Sequence, residues 1–554
     1  MTKTQERGNY RIEVTTLGDL LLKAADRAPE NDAVIFPNRR HTYASLSEAA
    51  YTQARRLMAM GIKRGDHVGI LAPNFMEFVE LIFGCALAGA VSVPINARFK
   101  AHEMGYVIEN ADLVALFTTD IISEYADFAG VLTRAFPDLE AGQDPDHLQL
   151  KDAPKLKRLI MLGESTPPGF TSRADYEALE SGASNADVDE RRIAVSLREP
   201  CIMMYTSGTT ANPKGCPITN EQLVRNGINM NREKYLMGPE DVMWDPLPMF
   251  HMAAILPMVA LFDAGATMIS QTHFEPGEAL RLMEQEKATI AFPAFPTITA
   301  ALINHPDFEK TDLSRIRRMN NVAPPDTLKQ FAKAFPQAVQ TSAYGLTECG
   351  GVISFGREDD PEEERLNACG IPFSGLEVKI VDPETGEDLP QGERGEIIAR
   401  GYAVFDGYYK DPEKTAASIK DGWLHTGDLC SLDEYGQIRF HGRLKDMLKI
   451  GGENVAAVEI ESYLSNHPAI KLAQVVGVPD PKLEEVAAAF IELKPGQELS
   501  EQEVIDFCKG QIASFKVPRH VRFVTDWPMS STKIQKFALK EQLTEELQNE
   551  RKAG

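Results

Sequence analysis

The sequence predicts an α/β protein: a large N-terminal domain of parallel sheets flanked by helices, a β-rich subdomain after it, and a small α+β domain at the C-terminus. Helical and extended patterns alternate through the first half in β-α-β order, which calls for parallel strands covered by helices on both faces. Past Glu377 the pattern changes to short strands separated by turn signals. From Asp446 onward a compact α/β alternation resumes.

Taken in order, residues 17–28 have the apolar spacing of an amphipathic helix, 33–36 form a short strand, and 45–60 a second helix stopped by Gly61. Residues 67–71 read as a buried strand, 75–87 as a helix and 91–94 as the next strand. The apolar stretch 78–93 carries Glu80 and is too short to span a bilayer, so it is buried helix and strand rather than a membrane segment. Residues 121–192 are less regular, with one strand at 159–162, and form a variable excursion, not a separate domain. Short strands follow at 377–381, 395–400 and 436–440. Beyond the join at 442–446 come helix 458–465, strands 470–478 and 486–493, and helix 501–509. The acidic run 358–364, broken by Pro361, is expected to be a solvated loop.

At 554 residues the chain is too long for one growing core, so it should hold roughly three or four domain-sized units. A hydrophobic content of 43% and a charged content of 25% suit a globular enzyme. The net charge of −23 excludes a nucleic-acid surface, which needs clustered cations, so any polyanionic ligand must be met by locally placed ones. Seven scattered cysteines (Cys85, Cys201, Cys216, Cys349, Cys369, Cys430, Cys508) include no Cys-x-x-Cys pair and are expected to be reduced packing residues. With no apolar segment behind the N-terminal charges to act as a signal, the expected location is cytoplasmic. A homodimer is compatible with the sequence.

The most informative stretch is Tyr-Thr-Ser-Gly-Thr-Thr-Ala-Asn-Pro-Lys-Gly, residues 205–215. Thr206, Ser207, Thr209 and Thr210 supply hydroxyls around Gly208, which permits close backbone approach, and Lys214 adds a mobile charge behind a proline-stiffened turn. Such a loop suits phosphate. It is not a Walker loop: counting from Gly208 puts Pro213 where the second glycine belongs and Gly215 after the lysine.

This loop resembles the phosphate-binding signature of the adenylate-forming superfamily, which comprises acyl-CoA synthetases, adenylation domains and luciferases, with Ala211 where glycine is usual. The resemblance implies that the loop holds the β- and γ-phosphates of ATP, with Thr206 at the catalytic centre. Ser342-Ala-Tyr-Gly-Leu-Thr-Glu348 matches the family's Tyr-Gly-x-Thr-Glu motif. It implies Tyr344 at the adenine, Thr347 at the α-phosphate and Glu348 on Mg²⁺, which favours oxygen ligands shared with substrate phosphates. Thr426-Gly427-Asp428 is similar to the motif whose aspartate accepts two bonds from the ribose hydroxyls, and Arg443 to the second ribose contact.

Toward the C-terminus, Pro528-Met-Ser-Ser-Thr-Lys-Ile-Gln-Lys536 resembles the motif of the family's catalytic lysine, with the usual glycine missing. Lys533 matches that position by its Thr-Lys-Ile spacing and Lys536 is the alternative. Gly451 and Gly452 resemble the segment along which the pantetheine arm of CoA passes, and Lys445 stands at the family's hinge position. The acyl pocket is expected from Phe250 and His251 together with Phe292, Ala343, Gly350 and Gly351. His251 is either the gate of that pocket or a satisfied core histidine.

The motifs occur in family order from about residue 17 to residue 540. The resemblance therefore implies an ATP-dependent, AMP-forming acyl-CoA synthetase acting on a largely apolar carboxylic acid, with ATP, Mg²⁺ and CoA. Its N-terminal domain would span 1–441, its hinge 442–445, and a mobile C-terminal lid 446–554. Two other readings are a stand-alone adenylation enzyme that loads a carrier protein and a nucleotide-binding scaffold without activity.

Overall fold

The structure, a computed structural model, describes residues 14–206, 212–450, 453–480, 482–530 and 533–553; the side chains of 181, 453, 454, 530, 533 and 550–553 are outside that description. Two mainly parallel sheets form the bulk of the chain. The first has six strands in the order Arg158–Met161, Leu113–Thr118, His67–Leu71, Val91–Pro94, Pro200–Thr206, Lys214–Thr219, all parallel except the last. The second has seven, from Val339–Thr341 through Arg318–Asn321, Ile290–Ala294, Val242–Trp244, Thr267–Ile269 and Asp32–Phe36 to the antiparallel edge Arg39–Thr42.

The central helices are buried on nearly every side because sheets and helices enclose them, and their few carboxylates are paired: Glu77 and Glu80 with Arg39, Asp263 with Arg232. Met76–Ala88 has all thirteen residues buried, and Met252–Ala264 is buried except at Ala253. At Gly89, φ of +70° ends the first of these helices in the left-handed conformation that glycine takes without strain. Both helices belong to the main apolar core.

Two sequence expectations are corrected. Residues 121–192 are not a mere excursion: Arg158–Met161 is the edge strand of the first sheet, and helix Asn185–Ile193 packs on helices Tyr43–Ala59 and Met76–Ala88. The acidic run is not a plain loop, because Pro361 caps helix Glu362–Asn367. Three glutamates in that first turn face the positive helix end, and Glu358 and Glu364 pair with Arg317 and Arg439.

The β-rich part is a five-stranded antiparallel sheet built on Leu376–Val381, Gly395–Gly401, Trp423–Leu432 and Ile438–Arg443, with Ile419–Lys420 on its edge. After the short turn Leu444–Asp446, strands Met447–Ile450, Glu453–Ala456, Ile470–Asp480, Glu484–Leu493 and His520–Phe523 make another sheet. Helices Ala457–Ser465, Glu501–Cys508 and Lys536–Ala553 cover it, and its apolar clusters draw only on residues of this segment. All seven cysteines are free, and all but Cys369 are buried. No helix among the described residues is long and apolar enough to cross a membrane.

Candidate active site

Strands Pro200–Thr206 and Lys214–Thr219 are antiparallel neighbours, so the chain returns on itself and sets Thr206 directly opposite Lys214. Ser207, Gly208, Thr209 and Thr210, which stand between these strands in sequence, lie outside the described residues. The Lys214 ammonium sits over the ring of Tyr408, 4.6 Å from its centroid. The Tyr408 hydroxyl donates to Glu348 Oε1 at 2.8 Å. Glu348 belongs to the one-turn helix Thr347–Cys349, and its carbonyl accepts from the Phe405 N–H at 2.8 Å.

Asp428 is only 4% exposed, so its carboxylate needs partners in place. Tyr344 donates to Oδ2 at 2.8 Å, and Arg443, paired with Asp428 across neighbouring strands, brings Nε to 3.3 Å of Oδ1. The preceding turn is fixed by Gly427, with φ of +71°, whose N–H donates to Glu396 at 2.9 Å. Phe440 lies alongside the Tyr344 ring, 6.2 Å away and tilted by 31°. Lys445 reaches the same region: burial lowers its pKa, with Asp446 and Asp428 opposing and Arg443 and Lys214 adding to the effect.

These groups line one cleft of about 2220 Å³, and its other end is apolar. Phe250, His251, Phe292, Ala343 and Gly351, all expected at the acyl pocket, line this cleft. Gly350 does not. It closes the Thr347–Cys349 turn with φ of +66°, and a side chain there would meet Asn226 Nδ2 at 3.0 Å, inside the packed core. Lengthening Gly350 would thus strain the backbone instead of shortening the pocket. His251 precedes helix Met252–Ala264, and its ring lies 4.8 Å from that of Phe250 at the cleft wall.

Asp245, directly after strand Val242–Trp244, is fully buried. The Leu247 N–H donates to its Oδ1 at 2.9 Å, and burial raises the carboxyl pKa well above its ordinary value. A folded-state pKa raised in this way contributes stability below the unfolded value, near 4, which is lost as pH rises. Asp245→Asn, neutral at every pH, is therefore expected to gain on the parent as pH rises from 4 to 8, by up to about 1.4 kcal/mol per unit. Urea denaturation of both proteins across that range checks it; a stability difference that does not move with pH contradicts it.

From the C-terminal segment, Met529, Ile534, Gln535 and Lys536 line the same cleft. Strands Met529–Ser530 and Lys533–Ile534 pair antiparallel, with Ser530 opposite Lys533, whose side chain is outside the described residues, as are Gly451 and Gly452. Lys536 is engaged within its own segment by Glu461 at 2.6 Å. Across the join, Arg394 meets Glu459 at 2.8 Å. Among the described residues no group of three or more His, Cys, Asp or Glu could cage a metal. A lone carboxylate suits Mg²⁺ that arrives with a nucleotide and keeps its phosphate and water ligands.

Sequence reading overlooked Tyr408, Phe440, Arg394 and Glu459. The signal available for the first was the aromatic pair in Gly407-Tyr-Tyr-Lys-Asp411, which carries no chemistry of its own until Lys214 and Glu348 are folded onto it.

Comparison with known proteins agrees with this geometry. Residues 21–409 match the AMP-binding enzyme family and residues 459–533 the C-terminal domain of AMP-binding enzymes. A Bacillus subtilis (strain 168) protein named as an acyl-CoA synthetase, YngI, is 39% identical over 541 residues, 96% of this chain and 97% of that one. The mitochondrial medium-chain acyl-CoA ligase ACSF2 of Danio rerio is 32% identical over 97% of this chain and 90% of its own length. The anthranilate CoA ligase AuaEII, solved with anthranoyl-AMP, superposes with a TM-score of 0.84 at 26% identity, covering 95% of this chain and 97% of that one. The chain thus belongs to the AMP-binding enzyme family and is an AMP-forming acid–thiol ligase, an acyl-CoA synthetase that uses ATP and coenzyme A.

Proposed function

We propose that the enzyme activates a largely apolar monocarboxylic acid, a fatty, alicyclic, aromatic or sterol side-chain acid, through an acyl adenylate. The observation that carries this reading is the single cleft, whose polar end holds Lys214, Glu348, Tyr344, Asp428 and Arg443 and whose other end is walled by Phe250, Phe292, Phe295, Val322, Leu328 and Phe355. The cations Arg98 and Lys100, which also line the cleft, come from the loop before helix Ala101–Asn110 and are not part of that apolar set. The names of the relatives, a medium-chain acyl-CoA ligase and an anthranilate CoA ligase, fit acids of this kind.

In this reading Thr206, Lys214 and the turn hydroxyls of Ser207, Thr209 and Thr210, with Gly208, hold the β- and γ-phosphates. Tyr344 lines the adenine, Thr347 meets the α-phosphate, and Asp428 with Arg443 takes the ribose. Mg²⁺ bound through Glu348 would supply charge neutralisation at the phosphates. Lys533 brings its ammonium to the carboxylate and α-phosphate, where charge builds as the carboxylate oxygen attacks phosphorus and pyrophosphate leaves. The CoA thiol, guided past Gly451 and Gly452, then displaces AMP from the acyl carbon.

Residues 1–441 act as the body, 442–445 as the hinge and 446–554 as the lid. The separate apolar clusters of the C-terminal segment support that division. AMP release measured with a panel of acids tests the substrate class. Monocarboxylic acids are expected to be used at least about tenfold faster than dicarboxylic acids of equal length, because an unpaired charge in an apolar wall costs more than the 1.4 kcal/mol this requires. Preference for a dicarboxylic acid contradicts it.

A further inference from the structure

The 405–409 segment touches both loops that carry the charged groups of the phosphate end. Phe405 donates its N–H to the Glu348 carbonyl at 2.8 Å, and Tyr409 donates its N–H to the Gly215 carbonyl at 2.8 Å, next to Lys214. Between these anchors, the Tyr408 N–H donates to Thr415 Oγ1 at 2.9 Å, and its ring meets Phe405 edge-on at 4.8 Å. Gly407, with φ of +145°, permits this close turn, since a side chain there would come within 2.5 Å of Thr415 Cγ2. The phenol is thereby held from both ends, and it lines the cleft.

We propose that Tyr408 is a positioning residue of the phosphate site, its ring seating the Lys214 ammonium and its hydroxyl orienting the Glu348 carboxylate. The proposal rests on the reading that Lys214 meets the nucleotide phosphates and Glu348 their metal. Two opposite charges lie within the span of one side chain, and an ion pair between them would consume both before any nucleotide arrives. The ring face offers the ammonium a weaker, non-ionic seat that a phosphate can outcompete. The hydroxyl holds one carboxylate oxygen in place with a neutral bond while leaving the charge for a cation. Tyr408 thus keeps the lysine and the glutamate apart and ready, without touching the reacting atoms.

The test separates ring from hydroxyl. Calorimetry with ATP in EDTA reads the lysine seat, and titration of Mg²⁺ at fixed ATP reads the carboxylate. Tyr408→Phe is expected to leave metal-free ATP affinity within about twofold while raising the Mg²⁺ needed for half-saturation about fivefold, the loss of one hydrogen bond to a charged group. Tyr408→Leu is expected to weaken metal-free ATP binding about tenfold as Lys214 falls onto Glu348. The double variant Tyr408→Leu/Glu348→Gln should recover most of that loss, because the lysine then has no carboxylate to pair with. A purely structural tyrosine would show no such recovery, and its absence overturns the proposal, as does unaltered metal-free binding by folded Tyr408→Leu. Lys214→Ala tells the two readings apart: if it leaves metal-free ATP binding intact, the phosphate-site reading itself fails. If it weakens binding and Tyr408→Leu does not, only the role of Tyr408 falls.

Discussion

Lys533→Ala is expected to slow pyrophosphate release by about 10²-fold or more, while thioester formation from pre-made acyl adenylate and CoA stays largely intact. A charge aimed at the oxygens where negative charge builds acts in the adenylating transition state, and its loss costs on the order of 2.7–4 kcal/mol, as for other preorganised electrostatic donors. The second half-reaction begins from a good leaving group and does not call on it. Ile534, the next residue after Lys533, and its cross-strand partner Met529 line the cleft, so the backbone that carries Lys533 runs beside it. Lys536, the competing candidate, begins the final helix and is tied to Glu461 at 2.6 Å. Lys536→Ala should therefore retain most pyrophosphate release. Single-turnover measurement of both half-reactions on both variants decides the point, and the assignment falls if Lys536→Ala alone loses adenylation.

Lys445→Pro is expected to uncouple the two half-reactions. Lys445 lies in the one-turn helix Leu444–Asp446, which follows strand Ile438–Arg443 and joins the β-rich sheet to the C-terminal segment. If the lid turns about this residue, its backbone dihedrals must change between adenylation and thioester formation, and proline fixes φ near about −65°. Proline also pushes the preceding residue, Leu444, out of the helical region that the turn uses here. One lid position is thereby disfavoured, and by resemblance to the family the surviving one serves adenylation. Pyrophosphate release in a single turnover should remain, while acyl-CoA formation falls by at least about tenfold, roughly 1.4 kcal/mol of barrier. Lys445→Ala leaves the backbone free and should change the ratio of the two rates far less. Equal losses in both halves for Lys445→Pro would place the hinge elsewhere.

The parallel-sheet architecture was legible because strongly patterned segments carry their own evidence. Apolar runs bounded by turn residues, such as 67–71 and 91–94, became strands with the bounds expected of them. In the irregular 121–192 stretch the strand expected at 159–162 is present as Arg158–Met161, but its place at the sheet edge beside Leu113–Thr118 and the helix Asn185–Ile193 were not legible, since both depend on neighbours in space. Pro361 misled in the opposite direction: a proline breaks a helix in the interior, but this one stands just before the first turn of Glu362–Asn367, where its missing N–H costs nothing.

At the site, the motifs pointed to groups whose residue type fits their setting. The buried Asp428 is held by a tyrosine and an arginine, and Thr206 and Lys214 face each other across a strand pair. What escaped was the distinction between two adjacent glycines. Gly351 lines the cleft and Gly350 turns into the core, a difference set by backbone angles of +104° and +66° that no residue type reveals. Tyr408 escaped for a related reason, because its partners are 194 and 60 positions away in sequence, as the numbers of Lys214 and Glu348 show.

The central claim is that a carboxylate oxygen attacks the α-phosphorus of ATP before any thioester forms. The most direct test supplies an apolar monocarboxylic acid labelled with ¹⁸O in both carboxyl oxygens, together with ATP and CoA, and weighs the products by mass spectrometry. The mechanism predicts one ¹⁸O atom in AMP, one retained in the acyl-CoA carbonyl, and none in pyrophosphate. Formation of ADP, or label appearing in pyrophosphate or phosphate with unlabelled AMP, would contradict it.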